Sequence, residues 1–143
     1  MQSATAYLVS DRVLVGTDSK TTAGLWIAQG PVHAFSMDDL AALGEGLATA
    51  LDRSQEGVAH PAAWTGFFDP FLKVAKVRSL KQFMNGARCV GITRQNEEHR
   101  FEPTRNLGVK NGFEPLTAQA LILSEGDISG IAKALIAAFQ ASE

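Results

Sequence analysis

The sequence predicts an α+β fold in which two strand-rich units, each ending in a helix, pack antiparallel sheets against two similar helices. Three observations carry this expectation. Ser36–Ser54, SMDDLAALGEGLATALDRS, and Ser124–Ser142, SEGDISGIAKALIAAFQAS, repeat one helical pattern at an offset of 124 − 36 = 88 residues. Short apolar runs broken by Asp, Ser, Gly and Pro precede each helix, the pattern of strands joined by tight turns. With 45% hydrophobic and 20% charged residues, the composition is that of an ordinary globular domain.

In chain order, the runs AYLV, VLVG, GLWIA and VHAFS read as strands, and DSKTT, Asp18 to Thr22, reads as a turn. The first helix follows, with Leu40, Leu43, Leu47 and Leu51 stepping by three and four along one face. Ser36 is placed to accept a hydrogen bond from the N–H three positions on, where Asp39 favours the positive end of the helix dipole. The glycines of GEGLAT fall inside this helix, where they allow close packing against the sheet; a phosphate-binding loop would need them in the strand-to-helix turn. The segment DRSQEGVAHPAAWTGFFDPF is too aromatic for a plain linker. Trp64, Phe67, Phe68 and Phe71 are expected to pack on the body, with an exposed recognition patch as the alternative. SLKQFMNG predicts a short helix stopped near Gly86.

The second unit repeats the plan with CVGIT, HRFEP, GFEPL and QALIL, then a helix whose Ile128, Ile131, Leu135 and Phe139 align with the four leucines. Ser124 and Asp127 stand where Ser36 and Asp39 stand, and Gly112 falls on Gly24. The chain is thus expected to be a single domain, 1–143, with pseudo-repeat halves at about 4–54 and 71–142. Each half would leave one face of its sheet uncovered, so the halves must cover each other.

Charge and composition narrow the function. Thirteen basic against fifteen acidic residues give a net charge of −2, which supplies no overall attraction to nucleic acid. No run approaches the ~20 apolar residues that span a bilayer, and the start MQSATAYLVSDR lacks signal-peptide character, so no membrane partner and a cytoplasmic location are expected. The one cysteine, Cys89, fits a reducing compartment and reads as a buried small hydrophobe rather than a nucleophile. His33, His60 and His99 lack metal-ligand spacing and read as satisfied or solvated. No catalytic constellation emerges, so the chain is expected to be no enzyme and to use no cofactor and no metal.

Taken together, SMDDLAALGEGLATALDRS, SLKQFMNGARCVGI, FEPTRNLGVKNGFEPL and SEGDISGIAKALIAAF resemble the immunity proteins of contact-dependent growth inhibition systems. The resemblance runs from about Thr17 to Phe139 and rests on the order and spacing of these segments. It implies a cytoplasmic antitoxin whose partner is the cognate C-terminal toxin domain of a CdiA-type effector, often a nuclease. Some such proteins look like the Whirly fold, which binds single-stranded DNA. An inhibitor of a basic nuclease groove needs carboxylates for steering and aromatics as anchors. The toxin-binding candidates are therefore Asp11, Asp18, Asp69, Glu97, Glu98 and Glu102, with Trp64, Phe67 and Phe68. The alternative, a Whirly-like single-stranded nucleic-acid binder, would use Arg94, Arg100, Arg105 and Lys110 on phosphates.

Overall fold

Alternation of small apolar and polar residues in the first ten positions sets up the first strand, and a two-residue turn folds it back. A computed structural model of the chain describes residues 1–124 and 126–143. Strands β1 (Gln2–Val9), β2 (Arg12–Thr21) and β3 (Trp26–Ser36) form a meander that leads into helix α1 (Leu40–Asp52). Val9 pairs with Arg12, so Ser10 and Asp11 make the first turn, and Ser10 takes the left-handed φ of 58° that such turns demand. A short strand β4 (Glu56–Val58), helix α2 (Asp69–Ala75) and helix α3 (Leu80–Met84) follow. The second meander is β5 (Arg88–Gln95), β6 (Glu98–Asn106), β7 (Phe113–Pro115) and β8 (Leu121–Leu123), closed by helix α4 (Ile128–Ala141).

All eight strands belong to one sheet of order β3-β2-β1-β5-β6-β7, with β4 added beside β2 and β8 beside β6. The fold is α+β with an antiparallel sheet, as the sequence predicts; the parallel pairing of β4 with β2 is the exception. The two meanders meet where β1 pairs with β5, Ala6 opposite Val90.

Strand alternation divides the core between two faces. Ala4, Ala6, Val13, Val15, Val90, Ile92 and Phe101 line the first face, under Leu43, Leu47 and Leu51 of α1 and Ile131, Leu135 and Phe139 of α4. Leu47 and Leu135 are fully buried, worth roughly 1.5–3 kcal/mol each in transfer from water. On the second face Tyr7, Val9, Leu14 and Cys89 pack against Phe71, Phe83 and Met84, which α2 and α3 supply. Tyr7 is the hub, with the rings of Phe68, Phe71 and Phe83 edge-on at 5.6, 5.0 and 5.2 Å.

Several local expectations need correction. Asp39 and Asp127, not Ser36 and Ser124, cap the helices, accepting from Ala42 N at 3.1 Å and Gly130 N at 2.7 Å. A carboxylate at the cap reaches the third N–H, so each helix starts three residues later than the serines imply. Glu125, inside the second expected helical segment, lies outside the described residues. DSKTT is not a turn: Asp18 to Thr21 continue β2, paired with β1 and β3. GLWIA and VHAFS merge into one strand, β3. Of the helical glycines, Gly46 seats against Phe35 of the sheet, but Gly44 meets Ile128, where α1 and α4 touch.

Candidate interface on the second face of the sheet

Helix α2 covers only part of the second face, and two glycines mark the boundary. A Cβ on Gly16 would stand 2.6 Å from the Phe71 ring, so the cover is tight over β2. A Cβ on Gly91, two strands away in the same cross-strand row, would meet no heavy atom within 4 Å. Beyond Gly91 the sheet is open.

The open region is a polar trough, because the half-buried positions that β1, β2, β5 and β6 turn to this face are hydroxyls and charges. One cross-strand row runs Asp18, Ser3, Thr93, Arg100; the next runs Gly16, Thr5, Gly91, Glu102. Arg100 and Glu102 hold each other at 3.2 Å with side chains 38% and 29% exposed. Ile122 of β8, opposite Arg100, is 50% exposed and forms an apolar rim.

Asp18 is the most constrained group in the trough. Thr5 Oγ1 donates to its Oδ2 at 2.6 Å, Ser3 Oγ lies 3.5 Å from the same oxygen, and its backbone carbonyl accepts from Ser54 Oγ at 2.5 Å. Burial pushes its carboxyl pKa up from the ordinary value, against the two hydroxyls, which pull it down. Among the described residues, no Lys, Arg or His nitrogen lies within 4.0 Å of it.

A strap, residues 59–68, borders the trough on the β2–β3 side. His60 Nδ1 lies 3.2 Å from Thr21 Oγ1, and Trp64 sits between His60, edge-on at 5.2 Å, and Phe67, tilted at 5.8 Å, while staying 54% exposed. Phe67 lines a small cavity of about 130 Å³ with Gly16 and Ala28, the cross-strand neighbour of Asp18. The fold therefore brings Asp18, Phe67 and Glu102 to one surface, with Trp64 at its edge. The other residues singled out from sequence lie elsewhere. Asp11 is exposed in the β1–β2 turn, at the opposite end of the sheet. Phe68 is half-buried against Tyr7, and Asp69 is exposed in the first turn of α2. Glu97 and Glu98 are exposed at the β5–β6 turn.

Ser3, Thr5, Gly91 and Thr93 escaped the sequence reading. Their signal is the period-two alternation of small or polar residues with Ala4, Val90 and Ile92, which reports a sheet face left open. Cys89, buried as expected, has its thiol pushed up to about 12 chiefly by burial, and so is no nucleophile at neutral pH. His99 differs from expectation: it is 5% exposed, its Nδ1 lies 3.1 Å from the Glu97 carbonyl, and among the described residues its Nε2 has no partner.

No protein-family model matches the sequence, and no curated protein matches it. Solved structures share its fold. A Neisseria meningitidis protein of unknown function matches at a TM-score of 0.81 and 17% identity, covering 99% of this chain and 95% of that one. A chain of a CdiA-CT/CdiI toxin and immunity complex from Yersinia pseudotuberculosis matches at 0.79 and 16% identity, covering 99% of this chain and 97% of that one. At these identities the likeness establishes the fold, while function rests on the surface. No helix among the described residues is long and apolar enough to cross a membrane.

Proposed function

We propose that the chain is an immunity protein that binds and neutralises a toxin domain of the contact-dependent growth inhibition type, a nuclease, in the cytoplasm. The observation that carries the reading is end-to-end fold agreement with a chain from a toxin and immunity complex, which joins the resemblance already present in the sequence segments. The surface is consistent with it. An inhibitor needs a rigid platform with preset polar groups and a few anchors rather than reactive side chains. The trough supplies the first in Asp18, Thr5, Thr93 and Glu102; Trp64 and Phe67 supply the second.

The nucleic-acid reading has less support. Three of its four cations are already paired with carboxylates: Arg94 with Asp52, Arg100 with Glu102 and Arg105 with Glu143. Phosphate contacts would first have to break these pairs.

The test is to express the C-terminal domain of the effector encoded beside this chain, titrate it with the protein by calorimetry, and follow its cleavage of total RNA and DNA. Tight binding with loss of cleavage is expected. A folded, active domain that neither binds nor is inhibited would overturn the proposal.

A further inference from the structure

A carboxylate is normally left half-buried in a protein only beside a cation or within a ring of donors. Among the described residues Asp18 has neither a cation within ion-pair distance nor a full set of donors: both side-chain hydroxyls that reach it, Thr5 and Ser3, approach the same oxygen, Oδ2. It is also held rigidly, since Ser54 fixes its backbone and pairing with Ser3 and Ala28 fixes its strand on both sides. Among the described residues nothing fills the space over Gly91 of β5, two strands from Asp18 and beyond Ser3 and Thr5 of β1.

Resting on the immunity reading, we infer that Asp18 is the acceptor for a lysine or arginine side chain of the toxin, which enters over Gly91 and forms a charge-assisted hydrogen bond with its carboxylate. Thr5 positions the acceptor by holding Oδ2, which turns Oδ1 to the incoming cation. Ser3, next to Asp18 in the same row, and Thr93, one strand further along it, are hydroxyls able to accept N–H groups along the path of the entering side chain. The partner thereby completes an ion pair of which this chain carries one half, and specificity follows because a toxin without a cation at that point would bury Asp18 uncompensated.

The sign of a stability change separates this role from a structural one. A carboxyl whose folded pKa is raised above 3.8 favours its protonated form, so its stabilisation is complete below that value and is lost as pH rises through the folded pKa. At pH 7 the charge costs stability, and Asp18→Asn is expected to melt no lower than wild type, whereas a structural carboxylate would melt lower when replaced. With a toxin that binds wild type, Asp18→Asn is expected to raise Kd by at least about 30-fold, and Asp18→Glu, which keeps the charge, to recover part of the affinity. Wild-type affinity in Asp18→Asn would overturn the inference and leave the immunity reading standing.

If the wild-type protein binds no toxin, the immunity reading fails separately, and an NMR titration of the free protein decides the inference. Amide shifts at Thr5, Asp18 and Thr93 are expected with N-acetyl-lysine methylamide or N-acetyl-arginine methylamide, absent with N-acetylglutamate and absent in Asp18→Asn. No selective shift would overturn it.

Discussion

Gly16 and Gly91 are both interior strand glycines in one cross-strand row, so alanine at each makes the same chemical change in opposite surroundings. At Gly16 the new methyl would lie 2.6 Å from Phe71 Cζ and 3.1 Å from Cε1. That ring is buried and hemmed in by Tyr7 at 5.0 Å and Phe68 at 5.2 Å, so it cannot withdraw freely. Overpacking of this kind costs roughly 1–3 kcal/mol. At Gly91 the methyl meets nothing within 4 Å, and removing glycine's unfolded-state freedom gains about 0.5–1 kcal/mol. The two variants should therefore differ by about 1.5–4 kcal/mol. At about 3 °C per kcal/mol for a domain of this size, that is roughly 5–12 °C in Tm, with wild type between them. Urea and thermal melts followed by circular dichroism measure it directly. If Gly91→Ala melts below wild type, or the two variants melt together, the boundary between covered and open sheet has been drawn in the wrong place. Gly91→Trp extends the test to function: the fold should survive, while toxin affinity falls by at least about 30-fold because the ring occupies the space over the trough floor.

Other perturbations address other parts of the molecule. Leu47→Ala and Leu135→Ala, in fully buried positions on α1 and α4, should each cost about 2–5 kcal/mol in a denaturant melt; a near-neutral result at either would mean that helix is not seated on the sheet. Trp64→Ala should leave Tm within about 1 °C of wild type, since the ring is 54% exposed, yet weaken toxin binding in calorimetry; unchanged affinity would remove the strap from the interface. His99 should make the fold acid-sensitive. Burial, helped by the Arg94 charge, holds its pKa below 6.5 against the opposing Glu97 carbonyl bond, so below pH 6.5 the unfolded chain takes up a proton the folded chain refuses. Stability should fall as pH drops through that window, and His99→Phe, which also removes the orphan Nε2, should flatten the fall; an unchanged pH profile would show that another group is responsible. Arg88, whose guanidinium donates to the carbonyls of Phe139 and Ser142 at the end of α4, should cost about 1.5–3 kcal/mol when changed to methionine, and a smaller loss would mean that water replaces it there.

Much of the architecture was legible because it rests on periodicity. The rows Leu40–Leu51 and Ile128–Phe139 identify both long helices, and β-branched runs between turn residues identify most strands. Start points were less legible. A serine and an aspartate three residues apart are both competent caps, and only the surrounding backbone decides between them. DSKTT misled for a related reason: its polar residues favour turns locally, but Thr17, Ser19 and Thr21 point into the first face, where the Thr17 hydroxyl donates to the Ala50 carbonyl at 2.7 Å and Ser19 Oγ accepts from Gln55 N. The interface was the least legible part. Exposed carboxylates and aromatics draw notice in a sequence, whereas the trough is built from Ser3, Thr5, Gly91 and Thr93, whose importance depends on which face lacks a covering helix. That information belongs to the pairing of β1 with β5, residues distant in the chain.

The same pairing has a consequence for how the molecule assembles. Each meander is built from neighbours in sequence and can form quickly, but joining Ala6 to Val90 closes a loop of about 80 residues, an entropic cost incurred before any contact across the seam repays it. Until then β1 has a bare edge, and α1 and α4 have no common surface on which to meet. Closure of the β1–β5 seam is therefore the step expected to set the folding rate. Small-to-large or polar changes at Ala6 and Val90 should slow refolding, while equally destabilising changes in β3 or α2 should act mainly by speeding unfolding.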